Sequence, residues 1–420
     1  MGRPLRIGVY SPFFGSTVGG GEKYLGVTVE ALRDSFPEAC VELFTPAPVD
    51  VRRYQEMLGL DLHGVGFRSL YRRAGPAAGR LARVPLLRRY RNLALSVHAA
   101  RKTADYDLLL SMVYVLPAFS RARRGVLLCQ FPYPRTPSAG GRGLDGLARR
   151  VCGGPYRLLR RRLLGGEVDD FQLVVCQSEY VRGWVARLWE RDAVVVNPPI
   201  DVPEAEPDWS RKRQVILSVG RFFAGGHNKR HDVMVEAFRQ LCDGGLRGWE
   251  LHLAGSTHRG AADVAYLERV RELASGYPVF LHLDAPRGEV QGLYQEAALY
   301  WHAAGLGVDG EARPAELEHF GMSTAEAMAW GAVPVVIARG GQPEVVEEGE
   351  SGYLWDDLAT LRERTLTLAA DAALRRRMGA AARRSSRRFS TPRFKERMVA
   401  AVRPLLDELR EQVEATSAVQ

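Results

Sequence analysis

No stretch of the 420-residue chain holds the roughly 18 consecutive apolar residues that a membrane-spanning helix needs. The amino terminus, MGRPLRIGVYSPFFG, lacks the continuous apolar segment of a secretory signal and reads instead as a first strand. Cysteine is scarce. The five present, Cys40, Cys129, Cys152, Cys176 and Cys242, form no C-x-x-C pair and sit beside no histidine at ligand spacing, which argues against a disulfide framework and a zinc site. Solenoid-period repeats and low-complexity tracts are also missing. These absences lead to the expectation of a cytoplasmic chain with reduced thiols, long enough for two domains.

Acid is missing where base is abundant. Between Phe67 and Lys102 there are ten Arg or Lys and no Asp or Glu, and between Arg121 and Gly166 the only acid is Asp145. The stretch PYRLLRRRLLGG reads as a basic amphipathic helix, suited to an anionic membrane face or to a plain solvated surface. Neither aromatic interleaving nor zinc spacing accompanies the arginines, so nucleic acid is not an expected partner. The expected location is cytoplasmic, with peripheral contact at the inner membrane face as an option.

What is present is a series of short Val-, Ile- and Leu-rich runs separated by helical patterns, the signature of parallel strands covered on both faces. RIGVYSP, VELFTP, YDLLLSM, GVLLCQFPYP, FQLVVCQS and AVVVNPP form one series; RQVILSVGRF, WELHLAGS, PVFLHLD, ALYWHAA, VPVVIA and SGYLW form another. The polar, proline-containing DVPEAEPDWSRKR lies between them and reads as a linker. The expected fold class is α/β, with two doubly wound domains at 1–205 and 206–385, followed by a helical segment at 386–420 broken at Pro404.

Ligands of open α/β sheets sit beyond the carboxyl ends of strands, so the turns there carry the chemistry. After the first strand, Gly19, Gly20 and Gly21 precede a helix and would let backbone amides approach a ligand. They do not make a G-x-G-x-x-G fingerprint, and no acid ends the second strand. In GRFFAGGHNKRHD, Arg221 and Lys229 flank two glycines and could converge on one anion. In EHFGMSTAEAMAWGAVPVVI, Glu318 precedes a helix opened by Gly321, and Glu326 follows two turns later. Open amides at such a helix start suit phosphate, while the carboxylates suit sugar and ribose hydroxyls.

The EHFGMSTAEAMAWGAVPVV stretch, with GGQPEVVEEGESGYLW after it and ILSVGRFFAGGHNKRHDVMVEAF before it, resembles the retaining glycosyltransferases of family 4, which have the GT-B fold. The first half is similar more loosely, through GGGEKY, CQFPYP and QSEYV…NPPID. The resemblance implies a Rossmann-like acceptor-binding domain, a Rossmann-like nucleotide-sugar-binding domain, and a carboxyl-terminal helix packing back on the first. It implies that Glu318 contacts the transferred sugar, Glu326 holds the ribose, and Arg221 and Lys229 clamp the diphosphate. Phe320, Gly321 and Met322 would offer backbone amides, and Gly20 and Gly21 would meet donor phosphate and acceptor. Many members place a histidine after a central strand of the first domain; LLLSMVYVLPAFSRARRGVLLCQFPYP contains none.

The implied reaction is transfer of a hexose, with retention, from a GDP-mannose- or UDP-glucose-type donor to a glycan, lipid-linked sugar or small-molecule hydroxyl. No cofactor is expected: no Asp-x-Asp metal motif is read in the chain, so Arg221, Lys229 and the helix amides would do what a divalent cation does elsewhere. A non-hydrolysing sugar-nucleotide epimerase of the same fold and a basic, non-catalytic membrane-binding protein are the alternatives. His302 reads as a packed, hydrogen-bonded strand-end residue, Trp301 and Trp330 read as core, and His319 is open to either role.

Overall fold

A computed structural model describes residues 3–12, 14, 19–45, 48–69, 85–113, 119–134 and 158–419. The chain divides into two compact units. One comprises residues Met1–Gln177, Val181–Val196 and Phe394–Gln420, and the other Ser178–Tyr180 and Asn197–Arg393. Each is built on its own parallel sheet.

In the first unit, β1 (Arg6–Tyr10), β2 (Cys40–Thr45), β3 (Gly66–Ser69), β4 (Leu108–Val113), β5 (Arg124–Cys129), β6 (Leu173–Cys176) and β7 (Val194–Val195) lie in the order β3-β2-β1-β4-β5-β6-β7. Every pairing is parallel. The edge strand β3 escapes a reading based on apolar runs. Its four residues, Gly-Phe-Arg-Ser, carry one hydrophobe, which is exposed, so pairing with β2 rather than burial makes it a strand. Helix Gly20–Ser35 buries Leu25, Val29 and Leu32 against the sheet, and the absence of a Cβ at Gly26 lets Leu60 approach.

The helix Thr391–Val419 runs without interruption through Pro404, contrary to the expected break. A proline inside a helix removes one hydrogen bond at a cost of roughly 3 kcal/mol. Here Phe394, Met398, Val402, Leu406 and Leu409, on both sides of the proline, are buried in the first unit's core, and burial of that stripe outweighs the lost bond. Lys395 adds ion pairs to Glu30 and Asp34 at 2.9 and 3.0 Å.

In the second unit, β8 (Arg213–Val219), β9 (Glu250–Gly255), β10 (Val279–Leu283), β11 (Ala297–His302), β12 (Val333–Ile337) and β13 (Tyr353–Trp355) form the order β10-β9-β8-β11-β12-β13. The order reverses beside β8, so β8 and β11 flank the switch point where such sheets bind ligands. Strands β11 and β12 are buried along their whole length. Trp301 belongs to this core and donates to Thr365 Oγ1 at 3.1 Å, whereas Trp330 is half-buried. The proline-containing stretch before β8 is fastened to this unit by Arg383, whose guanidinium is buried and donates to the carbonyls of Ala329, Pro203 and Ala205 at 2.8, 2.9 and 2.7 Å. Among the described residues no helix is long and apolar enough to cross a membrane. The Cys152 thiol and the arginines of residues 70–84 lie outside the described residues.

Candidate functional site

The carboxyl ends of β8 and β11 and the loop before helix Met322–Ala329 bring three ionisable groups together. The Glu318 carboxylate pairs with the Lys229 ammonium, and the same oxygen, Oε2, lies 3.0 Å from His302 Nε2. Burial alone would raise the Glu318 pKa, but the Lys229 charge and the His302 hydrogen bond hold it well below the usual carboxylate range. His302 is fully buried, and desolvation lowers its pKa against the opposing pull of Glu318. An ionised carboxylate only accepts, so the neutral imidazole donates through Nε2–H. Its buried Nδ1 then has no partner among the described residues.

The backbone around Glu318 is closely constrained. Its carbonyl accepts from the Gly341 amide at 2.8 Å. A Cβ at Gly340, where φ is +62°, would fall 2.1 Å from that same oxygen, and one at Gly341 would fall 2.5 Å from the His319 carbonyl oxygen. The two glycines of GGQPEVV therefore exist for close approach of one loop to another. A Cβ at Gly220 would fall 2.5 Å from Lys229 Cγ, so the lysine stem reaches the carboxylate by crossing a bare backbone.

Gly321 opens helix Met322–Ala329 at φ 111°, ψ 53°, and the Ala325 amide is the first to bond back, to the Gly321 carbonyl at 3.0 Å. Helix geometry leaves the preceding amides of Met322, Ser323 and Thr324 without intrahelical partners, facing outward with the positive end of the dipole. Phe320 contributes its ring to the core, packing edge-on to Phe389 at 5.0 Å. Glu326 is half-buried and accepts from Tyr294 Oη at 3.2 Å. Gln342 and Thr324 are buried with side-chain polar atoms that have no partner among the described residues.

Arg221 and Lys229 are used differently. Lys229 is committed to Glu318, whereas Arg221 is exposed, its guanidinium 5.8 Å from the Phe223 ring centroid. The charges of both still reach His227, whose pKa is lowered first by burial and further by these two cations. His227 meets His319 edge-on at 4.7 Å, and burial pushes the His319 pKa down to about 3. Gly20 and Gly21 belong to the other unit, where they begin helix Gly20–Ser35.

His302 is packed and hydrogen-bonded, as expected; what the sequence did not reveal is that Glu318 is its partner. Its position at the carboxyl end of a central strand was the available signal. An Asp-x-Asp triplet does occur, at Asp105-Tyr106-Asp107, just before β4. Its carboxylates are taken by arginine: Asp107 by Arg3 at 2.8 and 2.7 Å, and Asp105 by Arg68 at 2.7 Å. Among the described residues no group of three or more His, Cys, Asp or Glu is arranged to hold a metal ion.

Residues 203–385, nearly the whole second unit including this cluster, match one family. It is Glycosyl transferases group 1. Solved structures of similar fold cover both units. Sucrose-phosphate synthase from Thermosynechococcus elongatus superposes with a TM-score of 0.67 at 18% identity, covering 96% of this chain and 100% of that one. Anabaena HepE in complex with UDP-glucose gives 0.63 at 16%, covering 95% and 100%, and a glycosyltransferase from Rickettsia africae gives 0.63 at 14%, covering 96% and 99%. The fold is GT-B, with a Rossmann-like sheet in each unit. In sequence, the chain is 23% identical over 257 residues to the Dictyostelium discoideum GDP-Man:Man(3)GlcNAc(2)-PP-Dol alpha-1,2-mannosyltransferase, covering 56% of this chain. The chain spans about half the length of that relative, 48%.

Proposed function

We propose that the chain is a family 4 retaining glycosyltransferase that moves a hexose from a nucleotide-diphosphate sugar to an acceptor hydroxyl without a divalent metal. The observation that carries this reading is the Lys229–Glu318–His302 cluster at the carboxyl ends of β8 and β11, inside the stretch that matches the group 1 family. Glu318 contacts the transferred sugar and Glu326 the ribose. Arg221 and Lys229, with the amides at Gly321 and Met322, hold the diphosphate; Phe320, Gly20 and Gly21 are assigned as donor contacts on the sequence resemblance. A GDP-mannose- or UDP-glucose-type donor is favoured by the names of the mannosyltransferase relative and of the UDP-glucose-bound neighbour.

In this reading the acceptor hydroxyl approaches the face from which the diphosphate departs. The bond from anomeric carbon to phosphate oxygen breaks, the bond to acceptor oxygen forms, and the leaving phosphate takes the hydroxyl proton. The chain's own contribution is fixed charge: cations aimed at the departing diphosphate and a carboxylate beside the oxocarbenium-like sugar. Lys229 must then divide its hydrogen bonds between Glu318 and phosphate, and His302 keeps the carboxylate in place when it does. The acceptor is a glycan, a lipid-linked sugar or a small molecule, approached from the cytoplasmic side.

The test is transfer by metal-stripped protein in excess chelator, with the anomeric configuration of the product read by NMR. Retained configuration at an undiminished rate is expected; an inverted product, or a rate restored only by magnesium or manganese, refutes the corresponding part of the reading. Peripheral membrane contact belongs to the same proposal. Helix 158–164 exposes Leu158 and Leu159 beside Arg161 and Arg162, so sedimentation with anionic vesicles should occur at low salt and fail with neutral ones.

A further inference from the structure

The second unit has a cavity at the opposite end of its sheet from Glu318. It lies at the amino ends of the strands, where Lys212 and Arg213 lead into β8 and Gly331 precedes β12, and has a volume of about 280 Å³. Trp209, Lys212, Arg213, Gly331, Arg375 and Arg376 line it. Four basic side chains therefore face one small space.

Their neutralisation is uneven. Arg213 is paired with Glu250 and Glu296 at 3.1 and 3.0 Å. Lys212 and Arg376 have no carboxylate partner among the described residues. Lys212 Nζ donates to the carbonyls of Ala297 and Tyr294 at 2.7 and 3.2 Å, so in its protonated form, which a bound anion favours, it has a third N–H left over. Arg375 donates to the carbonyls of Leu368 and Ala369 at 2.5 and 2.9 Å and lies 5.4 Å from the Trp249 ring centroid. Asp371, the N-cap of the same helix, accepts from the Leu374 amide at 2.8 Å; its charge acts on Arg375 without forming an ion pair with it.

The wall is built before any ligand arrives. Trp209 is seated over two glycines: a Cβ at Gly331 would fall 3.0 Å from its ring, and one at Gly379 3.1 Å. Carbonyls hold Lys212 and Arg375 in place, so a ligand would find its donors already oriented and lose little affinity to ordering them. Desolvation pushes the Lys212 pKa down to about 7, the result of a cation held here without a counter-charge. A bound anion would reverse that penalty.

We propose that this cavity is a second binding site, for a small phosphate-bearing ligand, separate from the Glu318 cluster. Cations around a small, preformed, partly apolar space suit a phosphate or diphosphate group with its remainder against Trp209. Pyrophosphate is the probe, titrated into the full chain by calorimetry and by tryptophan fluorescence. The background is Arg221→Gln, which weakens binding at the other end of the sheet. Saturable binding should persist in that background and weaken about tenfold or more when Arg376→Gln is added. Because Arg376 is exposed, its replacement leaves the fold intact. Trp209→Phe should abolish the fluorescence change while calorimetric binding remains. Loss of all binding in the Arg221→Gln protein, or binding unmoved by Arg376→Gln, overturns the proposal.

Discussion

His302 Nε2 lies 3.0 Å from Glu318 Oε2, the same oxygen that Lys229 engages, so a strand-end imidazole and a loop lysine hold one carboxylate. Removing the imidazole leaves Lys229 as the one side-chain partner of that oxygen among the described residues. His302→Ala is expected to lower kcat by about ten- to a hundredfold, the equivalent of one charge-assisted hydrogen bond of roughly 1.5–3 kcal/mol, with little change in KM for the donor. His302→Gln, which can still donate, should recover part of the loss. Steady-state kinetics of both variants check this; equal losses would mean that the ring's packing, not its N–H, matters.

The two glutamates should separate kinetically. Glu318→Ala is expected to lower turnover more than donor binding, because charge develops next to the sugar in the transition state. Glu326→Ala should chiefly weaken donor binding, by about 1.5–3 kcal/mol. Calorimetric nucleotide binding alongside kcat at saturating donor measures both, and equal effects on turnover would remove the division of roles.

Gly341 is where the loop carrying Glu318 meets the loop after β12. An alanine there places its Cβ 2.5 Å from the His319 carbonyl oxygen and 2.7 Å from the Phe320 Cα, both backbone atoms and not the end of a flexible side chain. Gly341→Ala should cost about 2 kcal/mol or more and lower the melting temperature by several degrees. An unchanged melting curve would show that the two loops separate readily.

Acid should destabilise the second unit before its carboxylates titrate. His231 is fully buried, stacked on Phe222 at 4.3 Å, and neither ring nitrogen has a partner among the described residues. Burial pushes its pKa down from 6.5 to about 3, so below pH 6.5 the unfolded chain takes up a proton that the folded one refuses. His302 is shifted in the same direction. Glu318 acts separately: its pKa is depressed, so its contribution is present above the ordinary carboxylate range and is lost only further down. The melting temperature should fall between pH 6.5 and 4.5, and His231→Phe should reduce that slope. An identical slope in the variant would show that His231 takes no part.

Sequence alone was enough for the two parallel sheets, because buried parallel strands appear as apolar runs, and it singled out the turns of the candidate site, because glycine marks the turns between loops and helices. Glu318, Lys229 and Gly321 were visible for that reason. Tertiary structure alone decided the rest. The edge strand β3 depends on pairing with β2, and the helix through Pro404 depends on a stripe of core contacts; neither is a property of its local residues. His302 is separated from Glu318 by 16 residues, and Lys229 by 89, so the charge balance of the cluster exists only once β8 and β11 lie side by side. The cavity at the other end of the sheet has the same origin. Lys212 and Arg376 are far apart in sequence, and only the fold makes them face one space without a carboxylate partner among the described residues, since ion pairing depends on distance and not on order along the chain.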